Sequence, residues 1–325
     1  MKAQRLPLLI PALLVALVLV SGLSILAGKV WIAPAELFAG DDRWPIIVEL
    51  RLPRVVLALL IGCGLGMAGA AMQGYLRNPL ADPGLFGVSA TAALGAVISI
   101  FFGLAATPMV LSGFALAGAA LAVLLLSAIA GQSGSVIVFT LAGVVISSLA
   151  GALTALVISL APTPFATGQI INWLMGALTD RSWDDVMLAA PLIVVGMAVI
   201  ASAGRALDAL TLGEAAARTL GMRPAVLQAQ IVIGIGLVVG ASVAASGIIG
   251  FVGLIVPHLI RPLTNRRPSA VLLPSALAGA LLLLVADSAV RAAPTVSELR
   301  LGIAMSLLGA PFFLALLLKM RRQIG

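Results

Sequence analysis

The side chains that could do chemistry are few in this chain of 325 residues, and they lie far apart in the sequence. The one histidine, His258, has no cluster of cysteines or carboxylates beside it that could hold a metal ion. The lysines stand outside any Gly-x-x-x-x-Gly-Lys-Ser/Thr motif, and no serine, histidine and aspartate set suggests hydrolysis. The sequence therefore predicts that this chain is not an enzyme and holds no metal or cofactor of its own.

Two arginines three positions apart, Arg51 and Arg54, form a pair with a clear chemical use. Residues at this spacing share one side of a helix, and guanidinium groups bind carboxylates through paired hydrogen bonds. Arginines at the end of a membrane span also extend their charge into the lipid headgroups. Two interpretations stay open: contact with acidic residues of a partner, or simple anchoring at the membrane surface.

The segment 205–224 predicts two short helices between apolar stretches. Thr211 and Glu214 have the spacing of a capping box, and Gly221 ahead of Pro224 is typical of a helix end. With few apolar residues for anchorage, these helices are expected to lie against the membrane surface. A passive linker is one interpretation. A docking site for a partner protein is the other, and the capped helix favours it.

The elements that must position these groups are overwhelmingly apolar. From Pro83 to Thr179 the chain runs for 97 residues without a charged residue or a histidine. Hydrophobic residues make up 62% of the sequence, and the mean hydropathy is +1.20. Lipid must be the solvent of such a stretch, and only helices or closed barrels satisfy the backbone there. Barrel strands would alternate apolar and polar residues, which this run does not, so we predict an all-α membrane protein. The lone Cys63 excludes an internal disulfide.

Ten apolar runs are predicted to be membrane spans, since about 20 helical residues cross the hydrocarbon core. The start of the chain resembles a signal peptide, but no cleavage motif follows, so we expect an uncleaved first span. The 33 uncharged residues 225–257 are too long for one straight helix and predict one full and one short span. The runs lie near 8–27, 54–73, 88–104, 109–130, 136–160, 186–204, 226–245, 251–262, 272–290 and 301–319.

The distribution of charge predicts the orientation of these spans. With the amino terminus in the cytoplasm, the inner connections carry twelve bases and three acids, and the outer ones carry seven bases and nine acids. This asymmetry follows the rule that cytoplasmic loops are rich in lysine and arginine, so both termini are predicted to be cytoplasmic. The inner bases are Lys2, Arg5, Arg77, Arg205, Arg218, Arg223, Arg261, Arg266, Arg267, Lys319, Arg321 and Arg322, and the inner acids are Asp82, Asp208 and Glu214.

A faint internal repeat joins the second and seventh spans. Gly62-Cys63-Gly64-Leu65 in one resembles Gly234-Ile235-Gly236-Leu237 in the other, and the two spans cross in opposite directions. One interpretation is a single domain, 1–325, built from inverted five-helix halves at about 1–160 and 186–325, a common transporter design. The other is chance similarity between glycine-rich spans.

The interiors of the spans bear on the source of energy. We expect the apolar cores to contain no carboxylate, lysine or histidine, the groups that bind coupling ions in many carriers. This argues against a self-powered carrier and suggests that a second subunit supplies the energy. Ser147, Ser148 and Thr154 of the fifth span either face a wet pathway or bond to their own helix; both interpretations stay open.

Five segments together resemble the permease family of ABC importers for iron-siderophores, haem and cobalamin. These segments are Arg51–Arg54, Gln73–Ser89, Leu212–Met222, Ser246–Arg261 and Leu308–Phe313. The resemblance implies ten spans in a bacterial inner membrane and a pair of permeases, which we expect to be a homodimer. It also implies two cytoplasmic ATPases, which bind the ATP and Mg, and a periplasmic or lipid-anchored binding protein.

The resemblance also implies roles for individual residues. Arg51, Arg54 and Arg291 match outer arginines that pair with acidic residues of the binding protein, and Asn78 and Leu80 match positions near an inner gate. The fifth and tenth spans would line the pathway. Where the family often has Pro-Asp-His-Arg, this chain has Pro268-Ser269-Ala270-Val271, so no role is carried into that loop. The ATPase-coupling positions are Leu212, Gly213, Glu214, Ala217, Arg218, Leu220 and Gly221.

Taken together, the sequence predicts a permease that moves a ferric chelate, a siderophore or haem, into the cytoplasm. The alternative within the family is cobalamin. An ion-coupled secondary carrier or a channel is the alternative from another class. The expected partners are the lipid bilayer, a second permease copy, the ATPases and the binding protein, and no nucleic acid is expected, because the basic residues follow the membrane topology.

Overall fold

The structure, a computed structural model, describes residues 6–28, 31–33, 44–105, 107–130, 135–295 and 297–324. Every secondary-structure element in those ranges is helical, which confirms the all-α prediction. Lys2 and Arg5, which entered the charge count, lie outside the described residues. The α-helices are α1 (Leu6–Leu26), α2 (Leu52–Tyr75), α3 (Val88–Phe101), α4 (Pro108–Ala130), α5 (Val136–Ser159), α6 (Pro164–Leu174), α7 (Trp183–Ser202), α8 (Gly204–Leu210), α9 (Glu214–Thr219), α10 (Pro224–Ser246), α11 (Val252–Ile260), α12 (Pro268–Ala292) and α13 (Leu301–Ile324).

Most of the predicted spans are present as long helices. Within the described residues, eight helices are long and apolar enough to cross a membrane: α1, α2 with the π-helical turn before it, α4, α5, α7, α10, α12 and α13. The third and eighth predicted runs form α3 and α11, which have only 14 and 9 residues. At 1.5 Å per residue, α11 covers about 14 Å of a hydrocarbon core of about 30 Å. The count of ten spans and the orientation of the termini stay predictions.

One helix, α6, was not predicted, because its 11 residues fall below the length of a span. It begins where the Thr163 side chain accepts a hydrogen bond from the Ala166 amide at 3.1 Å, with Pro164 in the first turn. Its residue Ile170 is fully buried in a small cluster with Val97 and Ile100 of α3. The packing of a short amphipathic helix on the end of the bundle therefore completes this side of the fold.

The two short helices predicted within 205–224 are confirmed as α8 and α9, but the capping box is wrong. The α9 helix begins at Glu214 with Gly213 as its cap, and the Thr211 hydroxyl donates instead to the carbonyl of Asp208 at 2.7 Å. Gly213 has a φ of +95°, a conformation that glycine adopts without strain. The predicted stop is present, since Gly221 follows α9 with a φ of +87°.

Small residues allow the helices at the centre to approach closely. A Cβ added at Gly66 of α2 would lie 2.2 Å from the carbonyl oxygen of Ser275 on α12, and one at Gly62 would lie 2.5 Å from that of Gly279. Without side chains between them, the two backbones gain dispersion contacts along their whole crossing. The four-residue spacing of Gly62 and Gly66 thus places both glycines on the side of α2 that faces α12.

Helix contacts can be compared between the two predicted halves. The second span, α2, packs on the ninth, α12, and the seventh span, α10, packs on the fourth, α4, which is the same pair after a shift of five spans. The extensive contact of α7 with α10, however, has only a slight equivalent in that of α1 with α2. The inverted five-helix halves therefore stay a prediction.

The orientation can be tested with two cysteines, one before α7 and one after it in the sequence. Asp180 and Ala215 are both exposed, and α7 between them is about 30 Å long, as expected for 20 helical residues. After replacement of Cys63, a cysteine at 180 is expected to react with an impermeant thiol reagent added outside intact cells. A cysteine at 215 is expected to react only after the membrane is opened. The opposite pattern would overturn the charge-based orientation, and the cysteine-free protein is the control.

Candidate functional site

The arginine cluster near the start of α2 is held by carboxylates inside the chain. Arg54 donates from Nε and Nη2 to the carboxylate of Asp287 on α12, at 2.8 to 3.0 Å. Its Nη2 also donates to Oε1 of Glu298, in the connection before α13. The Arg54 side chain is 8% exposed and the Asp287 side chain is fully buried. The contacts of Arg54 with Asp287 and Glu298 therefore join three parts of the chain.

Asp287 overturns the expectation that the apolar runs contain no carboxylate. It lies within the predicted run 272–290, in a helix that is otherwise apolar up to Arg291. A buried carboxylate is tolerated here because the bidentate guanidinium of Arg54 compensates its charge. His258 likewise lies within α11, next to the ring of Phe312, with the ring centroids 5.9 Å apart. The lone acid in an apolar run was the sequence signal for a buried partner.

The other two arginines of the cluster bind the end of α1. Arg51 donates from Nη1 to the carbonyls of Ile25 and Leu26 at 2.7 and 2.9 Å, and Arg291 donates to the carbonyl and hydroxyl of Ser24. The last four carbonyls of a helix have no partner within it, and cations are favourable at this end of the helix dipole. These arginines therefore hold α1 against α2 and α12.

The expectation that these guanidinium groups project from the membrane does not fit the structure. Arg51, Arg54 and Arg291 are only 7 to 8% exposed, and each donates to groups of this chain. The spacing of Arg51 and Arg54 is that of neighbours on one helix surface. Their side chains nevertheless point inwards, to the end of α1 and to Asp287. A docking role for the three residues stays a prediction, and it requires that a partner reach or displace these internal contacts.

Acidification is expected to weaken the contact between Arg54 and Glu298. Burial alone would raise the pKa of Glu298, but the hydrogen bond and charge of Arg54 hold that pKa below its usual range. A carboxyl with a depressed pKa stabilises the fold above its unfolded pKa of about 4.3, and this contribution is lost as the pH falls through the folded value. The melting temperature of the wild type should therefore drop more steeply below about pH 4.3 than that of Glu298→Gln. Equal acid sensitivity would contradict the contact.

The connection between α2 and α3 folds into a well-defined loop. The Asn78 side chain accepts from the Leu80 amide at 2.9 Å, and the Asp82 side chain accepts from the Gly84 amide at 2.8 Å. Asp82 thereby caps the 3-10 turn Pro83–Phe86 that leads into α3. Pro79 and Pro83 interrupt the helix here, and the loop owes its shape to side-chain oxygens that satisfy backbone amides.

A cavity of about 240 Å³ joins this loop to two other parts of the chain. It is lined by Asp82 and Gly84 from the loop, Ser147 from α5, and the extended segment Ile248–Phe251 before α11. The structure thus brings together two of the segments that carry the family resemblance. Neither Asn78 nor Leu80 lines this cavity, so their role at a gate stays a prediction.

Two of the three polar residues of α5 bond to their own helix, which is one of the two interpretations that the sequence left open. Ser147 and Thr154 donate to the carbonyls of Gly143 and Ala150 one turn earlier, each at 2.8 Å. Ser148 is exposed on the surface of the helix. Only Ser147 also lines the cavity, so it is the best supported of the three as a pathway residue. The pathway assignment itself stays a prediction.

The backbone conformation of the segment between α10 and α11 is a feature that the sequence did not reveal. Phe251 begins α11 with a φ of +68°, in the left-handed region that is uncommon for an aromatic residue. Its ring packs against Gly309 of α13, where an added Cβ would lie 2.1 Å from the ring. The segments Ser246–Arg261 and Leu308–Phe313 of the family resemblance therefore meet here, because Gly309 leaves space for the ring of Phe251.

The α9 helix presents an exposed surface of the kind expected of a docking element. Leu212 and Leu220 on either side of it are 64% and 66% exposed, whereas Ala217 is fully buried beneath it. Glu214 and Arg218, which are both exposed, pair with each other at 2.6 Å across one turn. Burying these leucines in a partner would be favourable, and the docking role of α9 stays a prediction.

The α8 helix fixes this surface to the bundle. Asp208 accepts hydrogen bonds from the amide of Ser269 at 2.9 Å and from its hydroxyl. Ser269 belongs to the Pro268–Val271 segment that departs from the family pattern, so this departure has a structural function in the chain. These hydrogen bonds connect α8 to the first turn of α12.

These features define an all-helical membrane protein with several candidate spans and two exposed leucines beside the short helix α9. The FecCD transport family model matches residues 13–319, and the chain belongs to this family. It is 41% identical over 287 residues to the uncharacterized ABC transporter permease protein YvrB of Bacillus subtilis, covering 85% of this chain and 80% of that one. It is 38% identical over 313 residues to the vitamin B12 import system permease protein BtuC of Citrobacter koseri, covering 96% and 94%.

A solved structure agrees with the fold. A metal-chelate type ABC transporter in an inward-facing conformation superimposes with a TM-score of 0.87 at 29% identity, covering 97% of this chain and 99% of the other. The chain is therefore an ABC importer permease of the FecCD and BtuC type, a multi-pass membrane protein.

Proposed function

We propose that this permease moves a metal chelate from a binding protein into the cytoplasm, driven by two separate ATPase subunits. The observation that carries the proposal is the exposed α9 surface at one end of a chain that matches the family over residues 13–319. A permease without a nucleotide motif needs such a surface, because movement has to be transmitted from another subunit. ATP and Mg would then be bound by that subunit.

A second copy of the chain would complete the pathway. The α5 helix exposes a row of apolar side chains, among them Leu141, Val145 and Leu149 at helical spacing, and α13 exposes Leu307 and Leu314. Both helices were expected to line the pathway. A symmetric pair would place the two α5 surfaces opposite each other, and this supports the proposal of a homodimer in the bacterial inner membrane.

The nature of the chelate is the finer part of the proposal. A ferric siderophore or haem is the expectation from the sequence. Cobalamin is the second candidate, and the similarity to vitamin B12 import permeases over almost the whole chain favours it. Both are bulky metal chelates, and the binding protein rather than the permease selects between them.

The experiment is uptake into liposomes that contain the permease and its ATPase, with the binding protein outside. Ferric siderophores, haem and cobalamin are supplied separately, and their binding to the binding protein is measured by calorimetry. Uptake of the one chelate that the binding protein holds tightly, in the presence of ATP, is the expected result. ATP-driven uptake of a solute without a metal centre would contradict chelate import while leaving the permease assignment intact.

An ion-coupled carrier is the remaining alternative, and Asp287 is the residue on which it would rest. This carboxylate is the kind of group that binds a coupling ion, but in this structure both of its oxygens accept hydrogen bonds from Arg54. Uptake by liposomes that contain only this chain, driven by a proton or sodium gradient, would support the carrier and contradict the importer.

A further inference from the structure

A cavity of about 270 Å³ lies at the end of the molecule that carries α8 and α9. Its walls come from the last turn of α2 and the first turn of α12, and Thr211 lies at its rim. Three arginines line it: Arg77 after α2, Arg261 after α11 and Arg266 before α12. Neither the arginine cluster at the other end nor the α9 surface includes these three residues.

The charge of this cavity is not balanced within the chain. Among the described residues, no ion pair joins Arg77, Arg261 or Arg266 to a carboxylate. Arg261 donates from Nη2 to the Gln73 side chain at 3.0 Å, and this bond to a buried amide holds its guanidinium in place. Three guanidinium groups around one cavity repel one another, and an anion that accepts from several of them would remove that cost.

The acidic side chains of the neighbouring coupling segment are already engaged elsewhere. Asp208 accepts from the amide and the hydroxyl of Ser269, and Glu214 is paired with Arg218. Their charge is directed to the helices α12 and α9, respectively. Within the described part of the chain, neither carboxylate forms an ion pair with the three arginines, so an external anion is the candidate to neutralise the cavity.

The backbone also sets the positions of two of the arginines. Arg77 has a φ of +50° and Arg266 a φ of +64°, both in the left-handed region. Arg77 adopts this conformation because it ends α2 in a Schellman motif, in which the Arg77 amide donates to the Gly74 carbonyl at 3.3 Å and the Asn78 amide donates to the Gln73 carbonyl at 3.1 Å. This helix end and the turn at Arg266 place both arginines at the wall of the same cavity.

We propose that this cavity binds a phosphate group. A phosphate offers three oxygens that can each accept from a different guanidinium, and arginine is well suited to this geometry. The volume is about nine times that of a water molecule in the liquid, so the site has room for a phosphate with its attached atoms. Two sources share this chemistry: the headgroup of an anionic phospholipid in the adjacent leaflet, and free inorganic phosphate.

The test uses the intact permease and two probes, phosphatidylglycerol and inorganic phosphate. Binding of the lipid is titrated by native mass spectrometry against phosphatidylcholine, and binding of phosphate is titrated by calorimetry. The variant is Arg77→Gln with Arg266→Gln, two exposed arginines whose loss leaves the Arg261–Gln73 bond in place. The control is Arg205→Gln with Arg223→Gln, which removes the same charge from exposed positions outside the cavity.

The wild type and the control are expected to bind at least one probe about tenfold more tightly than the cavity variant, since charge-assisted hydrogen bonds are lost. Competition by inorganic phosphate would identify a free anion as the ligand, and preference for phosphatidylglycerol alone would identify a lipid. Equal binding by all three proteins would overturn the proposal. So would loss of ATPase assembly in the cavity variant without binding of either probe, because the arginines would then serve the ATPase interface. These readouts do not depend on transport, so a failure of the importer proposal would leave them interpretable.

Discussion

Replacing Leu220 by aspartate is expected to abolish the ATP hydrolysis that loaded binding protein stimulates. Leu220 is 66% exposed beside α9, so the substitution leaves the bundle of this chain intact. In the assembled importer the same leucine would be buried against the ATPase. Burial of one leucine contributes about 1.5 to 3 kcal/mol, and a buried unpaired carboxylate adds a further cost. Affinity between permease and ATPase should therefore fall at least about tenfold. Pull-down of the ATPase and its stimulated activity are the measurements.

The control for this experiment is Asn265→Asp, which adds the same charge at an exposed position outside α9. It should assemble and hydrolyse ATP as the wild type does. Glu214→Arg, which replaces the exposed pair with Arg218 by a repulsion, should also impair coupling. Deletion of 211–221 is a weaker test, because it removes the buried Ala217 and so disturbs packing as well. Full stimulation with Leu220→Asp would show that α9 does not dock.

Replacing Arg54 by methionine is expected to destabilise the folded permease by about 3 to 5 kcal/mol, the cost of leaving a buried charge without its partner. Asp287 is fully buried and accepts from two nitrogens of Arg54, so its charge would be uncompensated in the variant. Arg300→Met, which removes an arginine whose side chain donates only to Asn172 at 3.3 Å, is the matched control. The measurement is the free energy of unfolding in detergent.

The double variant Arg54→Met with Asp287→Leu separates charge from packing. It removes both members of the pair, and buried pairs replaced by apolar residues of similar volume are often as stable as the original. The double variant is therefore expected to recover most of the stability that Arg54→Met loses, except for the contribution of the Arg54–Glu298 contact. With the single variant Asp287→Leu added, the cycle measures the coupling between the two residues. An unchanged stability in Arg54→Met alone would contradict the buried ion pair.

Much of the fold could be predicted from the sequence because lipid restricts the alternatives. Long apolar runs have to be helical in a membrane, so the bounds of α4, α5 and α10 agree with the runs to within a few residues. The crossing of α2 with α12 is made possible by glycines, but their spacing does not identify the partner helix. Two local features escaped prediction: α6 is too short for a hydropathy signal, and Phe251 adopts a conformation that its residue type disfavours.

The site residues were harder to predict because their partners are remote in sequence. Arg54 and Asp287 are 233 positions apart, and no local pattern links them. The spacing of Arg51 and Arg54 indicated a shared helix face but not the direction of their side chains. The carbonyls at the end of α1 determine that direction for Arg51, and the carboxylate of Asp287 determines it for Arg54. Thr211 and Glu214 fitted a capping box, yet Gly213 begins α9 because its positive φ reverses the chain there. Local patterns predicted where the functional segments lie, and tertiary contacts decided what each side chain does.

The most direct test of an ATP-driven importer is hydrolysis of ATP by this permease reconstituted in liposomes with its ATPase and binding protein. We expect the rate to rise when binding protein loaded with its chelate is added, and labelled chelate to enter the liposomes only when ATP is present. Uptake that proceeds without the ATPase, driven by an ion gradient across liposomes that contain this chain alone, would contradict the account.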